Sequence, residues 1–163
     1  MNRKTSFVSD DEQVARILHK DWVIDGELQL AAFALVPNET YLSVNRLAIE
    51  SFSDDVKDFI DRHPDYKVSD DTYQQAVLNV KSVRDLNIEF NENLASLTVE
   101  VEPRDVHYKS HAGVFTRIEG KNLKGGQVGE VFANDGQIVS YDAIHLKVYM
   151  ELLQMSKLET IVK

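Results

Sequence analysis

Leu97, Val99 and Val101 alternate with Ser96, Thr98, Glu100 and Glu102, and beyond Pro103-Arg104-Asp105 the alternation resumes through Tyr108, Ala112 and Val114. Successive side chains of an extended strand point to opposite faces, so this period of two predicts a β-hairpin over residues 94–118, apolar on one face and charged on the other. A loop at residues 103–106 sets Glu102 opposite His107, Glu100 opposite Lys109 and Thr98 opposite His111, pairs that help to fix register.

Elsewhere the pattern alternates between helical and extended periods. Ser9-Asp10-Asp11-Glu12 has capping-box spacing, and Val14, Ile17 and Leu18 follow at helical intervals, which predicts a short helix over about residues 10–19. An extended segment begins at Trp22. Leu28 to Val36 suits a strand or a short helix, and Pro37-Asn38 ends it. Tyr41 to Val44 reads as a short strand. Ser53-Asp54-Asp55 opens a second helix with Val56, Phe59 and Ile60 inward, and His63-Pro64 closes it, because the residue before proline disfavours helical backbone. Residues 73–80 read as a strand and residues 82–86 as one helical turn. From Asp142 to Lys157, Ile144, Val148, Leu152 and Met155 form one helical stripe, which Leu146, Tyr149, Met150 and Leu153 widen past half the circumference. A helix so apolar is covered on more than one side, by the sheet and another element or by a second subunit. The fold expected is α+β: a single domain, mainly an antiparallel sheet with a central hairpin and a C-terminal packing helix. No βαβ alternation argues for a doubly wound parallel fold.

Composition narrows the chemistry. A chain of 163 residues, 43% apolar, suits one core. Its net charge of -9 is concentrated: residues 50–105 hold 14 acids and 6 bases, and residues 106–163 hold 6 acids and 7 bases. Phosphate backbones are repelled by the middle of such a chain, which argues against a nucleic-acid partner. Without cysteine there is no disulfide, thiol nucleophile or thiolate metal site. No apolar run reaches membrane-span length and residues 1–9 lack a signal-like hydrophobic region, so a cytoplasmic, membrane-free protein is expected, with neither cofactor nor metal.

Several side chains remain as candidates. His111, in Ser110-His111-Ala112-Gly113, stands among small residues that permit close approach, with Glu100, Lys109 and Arg117 expected near it. A histidine so placed suits acid/base work or anion binding, against the alternative of a cross-strand pair with Thr98. Arg16 and His19 lie three apart on the expected first helix, as a candidate anion binder and a candidate acid/base group. Arg46, at a strand end, suits a carboxylate or phosphate. Lys121 and Lys124 lie in the glycine-rich segment 120–129, which lacks the Gly-Lys-Ser/Thr and following helix of a phosphate loop and reads as a mobile hairpin or Ω-type loop, one able to close over a small anionic ligand through these two lysines. His145, inside the apolar arc of the last helix, reads as a core histidine satisfied by backbone or hydroxyl.

Arg16-x-x-His19, Ala32-Phe33, Leu42-Ser43-Val44-x-Arg46 and His111-Ala112 occur in an order that resembles a loose group of small uncharacterised bacterial proteins across most of the length. That resemblance implies a bacterial, cytoplasmic origin. An opening arginine or histidine followed by a small-residue strand also distantly resembles ADP-ribosyltransferase-like enzymes, although their acidic catalytic motif is not assigned to particular residues of this sequence. Two readings follow. The favoured one is a non-enzymatic binding or regulatory module that forms a homo-oligomer through the C-terminal helix and takes a protein partner. The alternative is a small enzyme or sensor for a nucleotide-like or other anionic ligand, with Arg16, Arg46 and Arg117 as anion binders and His19 or His111 as acid/base.

Overall fold

A computed structural model of the chain describes residues 7–90, 97–104, 106–132 and 136–162. The order is β1 (Gln13–Ile17), β2 (Val23–Ile24), β3 (Glu27–Leu28), β4 (Leu42–Arg46), α1 (Phe52–Arg62), β5 (Thr72–Asn79), α2 (Val80–Phe90), β6 (Leu97–Pro103), β7 (His111–Ile118), β8 (Lys121–Asn122), β9 (Glu130–Phe132), β10 (Ile138–Ser140), α3 (Tyr141–Met155) and β11 (Lys157–Val162). Single 3-10 turns occupy Lys20–Trp22, Leu30–Phe33 and Pro64–Tyr66. The main sheet runs β11-β5-β1-β4-β7-β6, every neighbour antiparallel, with β8 beside β7. The α+β class and the antiparallel sheet are as expected.

Helices cover both faces of the sheet. On one, Val14, Leu42, Val44, Val99, Val101, Ala112 and Val114 pack under Val80, Val83 and Leu86 of α2 and Ile144, Val148 and Leu152 of α3. On the other, Ala15, Ile17 and Tyr73 pack against Val56 and Ile60 of α1. This double cover corrects the first expected helix. Residues 13–17 form β1, flanked by β4 and β5, with Val14, Ala15 and Ile17 all buried. A strand covered on both faces loses its alternation, and the spacing of its apolar residues then mimics a helix. The capping-box contacts do form, Ser9 N donating to Glu12 Oε2 at 2.9 Å, but they close a turn from which the chain continues extended.

The hairpin exists with a longer loop. Glu102 stands opposite Gly113 and Thr98 opposite Arg117, so neither the Glu102–His107 nor the Thr98–His111 pair forms. The displacement is an even number of residues, and each side chain therefore keeps its expected face. The loop is lengthened because α1 holds it: Ser110 N and Oγ donate to Asp55 Oδ2 at 3.0 and 2.7 Å, and Tyr108 OH to Asp58 Oδ2 at 2.7 Å. Residues 82–86 belong to the longer α2, and β11 adds an edge strand on β5 that the sequence reading left out.

α3 is the expected packing helix. Its Ser140 N-cap accepts from Ala143 N at 3.1 Å, and its core histidine is satisfied. His145 Nε2 lies 2.8 Å from the Lys124 carbonyl, and its Nδ1 3.3 Å from Tyr149 OH, which itself accepts from Leu35 N at 3.0 Å. The glycine-rich segment is tied down as well. Gly125 N donates to Glu39 O and Asn38 N to Gly125 O, both at 2.9 Å. A Cβ on Gly125 would stand 2.1 Å from the Val36 carbonyl oxygen, so only glycine lets the two backbones meet.

Candidate functional site

β1 and β4 begin as neighbours and then part. Their ladder has two residue pairs, Val14 with Arg46 and Ala15 with Asn45, and the carbonyl of Ser43, two residues further along β4, is taken by a side chain. Arg16 Nη1 donates to Ser43 O and Arg16 Nε to Ala32 O, each at 3.0 Å. A guanidinium thus replaces the backbone ladder where the strands separate, bridging β4 to the turn at Leu30–Phe33.

The parted strands open a cavity of about 590 Å³, lined by Arg16, Trp22, Leu35, Pro37, Glu39, Ser43, Asn45, Phe59 and Tyr66 among others. The size is that of an ordinary small-molecule site. Its wall is aromatic: Trp22 and Tyr66 meet edge to face at 5.8 Å between ring centres, Phe59 and Tyr66 at 5.0 Å, and Arg16 Cζ lies 4.8 Å from the Trp22 ring centre. Burial pushes the Arg16 guanidinium below its usual range, against the pull of Tyr66 and Glu39, yet an arginine stays cationic in a protein. Among the described residues no carboxylate forms an ion pair with it. Glu39 on the rim is held by Val36 N, which donates to its Oε1 at 2.8 Å.

Ser43 links this cavity to His111. On β4 the side chains of Leu42, Val44 and Arg46 are buried while Ser43 and Asn45 face the other way, opposite Gly113 and His111 of β7. Ser43 Oγ lies 2.6 Å from His111 Nε2. The Tyr41 ring packs over Gly113, whose missing Cβ would meet Tyr41 Cδ2 at 2.6 Å, and is centred 6.1 Å from the His111 ring. Burial lowers the His111 pKa below its ordinary 6.5, and the charges of Arg104 and His107 push the same way, against a hydrogen bond with the Arg104 backbone. The imidazole is therefore neutral at neutral pH and able to accept the Ser43 hydroxyl proton.

The other expected site residues lie elsewhere. His19 does not act on the cavity directly: its Nδ1 accepts from Asp21 N at 3.1 Å, and its ring packs behind Trp22 and Tyr66 at 5.7 and 5.4 Å. Arg46, 1% exposed, is spent on Glu12, with Nε to Oε1 at 2.8 Å and Nη2 to Oε2 at 2.7 Å, and donates to the Phe7 carbonyl at 2.6 Å. A hollow of about 610 Å³ beside it thus has its cation already paired. Arg117 forms a two-pronged pair with Glu102 at 2.7 and 2.8 Å and gives Nε to Asn122. Lys121 and Lys124 are exposed, and the fold uses the backbone of Lys124, its carbonyl meeting His145 Nε2 and its N donating to Gln127 Oε1 at 3.0 Å. Glu100, expected near His111, is instead paired with Arg84.

Convergence is therefore confined to Arg16, Ser43 and His111. The sequence reading had Arg16 and His111 but passed over Ser43, Trp22 and Tyr66. Ser43 carried a usable signal, since strict alternation in Leu42-Ser43-Val44-Asn45-Arg46 puts Arg46 with the core and leaves Ser43 and Asn45 as the polar face. Nothing local marks Trp22 or Tyr66, which meet only through the tertiary fold.

Among the described residues no cluster of three or more acids and histidines suits a metal ion, and no helix is long and apolar enough to cross a membrane. Fold and site together define an α+β domain with a cationic, aromatic-walled pocket at a strand separation. Comparison with protein-family models, curated proteins and solved structures finds no match for this chain.

Proposed function

We propose that this chain is a binding module for a small anionic molecule carrying a flat apolar group, a mononucleotide or aryl phosphate being the type, working in the cytoplasm of a bacterial cell. The observation that carries this reading is the Arg16 guanidinium, set in the cavity on two backbone carbonyls without a carboxylate of its own among the described residues. A desolvated cation hydrogen-bonded to neutral oxygens keeps its charge for a ligand, with Glu39 at the rim pulling on it but forming no ion pair. The aromatic wall supplies the surface against which a ring stacks. Arg46 and Arg117 are consumed by Glu12 and Glu102, and Lys121 and Lys124 do not line the cavity, so the ligand is held by one cation and by ring contacts.

Thermal melts with adenosine monophosphate, phenyl phosphate and benzoate test the reading. A ligand at a hundred times its Kd adds about 2.7 kcal/mol of stability. The shift should vanish in Arg16→Gln and weaken in Tyr66→Ala, which leaves the cation in place. Anions that leave the melt unmoved at millimolar concentration, or that bind equally to a folded Arg16→Gln, overturn it. Self-association belongs to the same proposal and falls to Leu146 and Met150, the α3 side chains left 48% and 47% exposed. Sedimentation across a hundredfold range of protein concentration measures it directly.

A further inference from the structure

The cavity holds, beside its cation, a hydroxyl in close contact with an imidazole. Ser43 lines the pocket, its Oγ is 2.6 Å from His111 Nε2, and its carbonyl is clamped by Arg16. Tyr41 lies over the strand residue next to Ser43, and only Gly113 leaves room for that ring. The hydroxyl is thereby held against a base, on a residue whose carbonyl a guanidinium fixes. A hydrogen bond serving only to tie β4 to β7 would add little, because the ladder already pairs Leu42 to Asn45 with Val114 to His111.

We propose that Ser43 is a nucleophile activated by His111, and that the chain cleaves an ester whose acyl part carries the anionic group bound at Arg16. The anion specificity rests on the binding reading above; the nucleophile does not. In the first step Ser43 Oγ forms a bond to the ester carbonyl carbon, the Oγ proton passes to His111 Nε2, and the alcohol leaves with that proton as the carbon–oxygen bond breaks. Water then adds to the acyl-serine, giving its proton to His111, which returns it to Ser43 as the acid departs. Arg16, by holding the substrate's anionic group beside Ser43, positions the ester carbonyl for attack.

Two measurements separate the two parts. Incubation with an alkyl fluorophosphonate should add one phosphonyl group, seen by intact mass and mapped to Ser43, with fluoride released. Ser43→Ala abolishes the adduct, His111→Gln slows it at least a hundredfold, the scale of a lost general base, and the rate falls as the imidazole is protonated in acid. A folded wild-type protein that remains unlabelled, or labelling that persists in Ser43→Ala, overturns the nucleophile even if anions still bind at Arg16. Separately, after subtraction of spontaneous hydrolysis, which the succinate's own carboxylate promotes, the protein should cleave mono-4-nitrophenyl succinate at least tenfold faster than 4-nitrophenyl acetate, and Arg16→Gln should erase that preference. Labelling at Ser43 with equal rates on the two esters keeps the nucleophile and overturns the anionic specificity.

Discussion

Breaking the Glu12–Arg46 pair gives the sharpest test of how charge is partitioned in this fold. Arg46 is 1% exposed and donates to both Glu12 oxygens and to the Phe7 carbonyl. Glu12→Gln keeps the shape and removes the countercharge, leaving a buried cation with neutral acceptors. Removing one member of a buried pair costs about 3–5 kcal/mol. At about 2–4 °C per kcal/mol for a chain of this size, Tm should fall by roughly 6–20 °C. Arg46→Met is also destabilising, and the double variant Glu12→Gln/Arg46→Met should be more stable than the sum of the single losses by about 1 kcal/mol or more, because neither charge is then stranded.

The pH dependence has a definite sign. Burial raises the Glu12 pKa, but hydrogen bonds from Arg46 and Ser9 outweigh it and hold the carboxyl below its ordinary 4.5. A group whose folded pKa is depressed contributes stability that is complete above its unfolded value and is lost as pH falls through the folded one. The gap between wild type and Glu12→Gln should therefore be full at pH 7 and shrink below about pH 4.5. Chemical denaturation at pH 7 and at several acid pH values reads both effects. A Glu12→Gln loss under about 1 kcal/mol at pH 7, or a gap that widens in acid, would refute the assignment of Arg46 to the fold.

Two further outcomes follow from close packing and from the core histidine. Gly125→Ala should destabilise by about 1–3 kcal/mol in thermal melts, because the new methyl collides with the Val36 carbonyl, whereas Gly120→Ala, with open space around it and a φ of +77°, should cost only about 1 kcal/mol of backbone strain. His145→Ala should cost about 1–3 kcal/mol by removing the shorter of the two hydrogen bonds to the Lys124 carbonyl, the other coming from Gln127 N at 3.2 Å, and Tyr149→Phe, which removes the hydroxyl shared by His145 and Leu35, about 1 kcal/mol; effects within experimental error at both sites would sink the buried chain of hydrogen bonds.

How much of this was legible depended on how plainly each element's apolar positions kept their own period. α1, with one face on the sheet, and β5 emerged near their observed bounds, and α3 was read with its histidine correctly placed in the core. β1 was misread because β4, β5 and helices on both faces removed the alternation that betrays a strand. The hairpin faces were legible from period two, while its register was not, since the loop length is decided by Asp55 and Asp58 of α1, distant in sequence.

The candidate site shows the same limit more sharply. Arg16, Arg46 and Arg117 are chemically identical in the sequence, and all three were expected to bind anions. What separates them is the company the fold gives each: Glu12 for Arg46, Glu102 for Arg117, and for Arg16 the carbonyls of Ala32 and Ser43. An arginine satisfied by carboxylates has its charge cancelled in place and stabilises the fold. One satisfied by carbonyls has its geometry fixed and its charge uncancelled, a combination that contributes little to folding and is suited to receiving a ligand. The separation of β1 from β4 creates that state, because a continued ladder would occupy the Ser43 carbonyl with a backbone N–H and leave the guanidinium no place between the strands. Refilling the gap should therefore abolish the site without unfolding the sheet, whereas loss of Glu12 should destabilise the sheet without changing any residue that lines the Arg16 cavity.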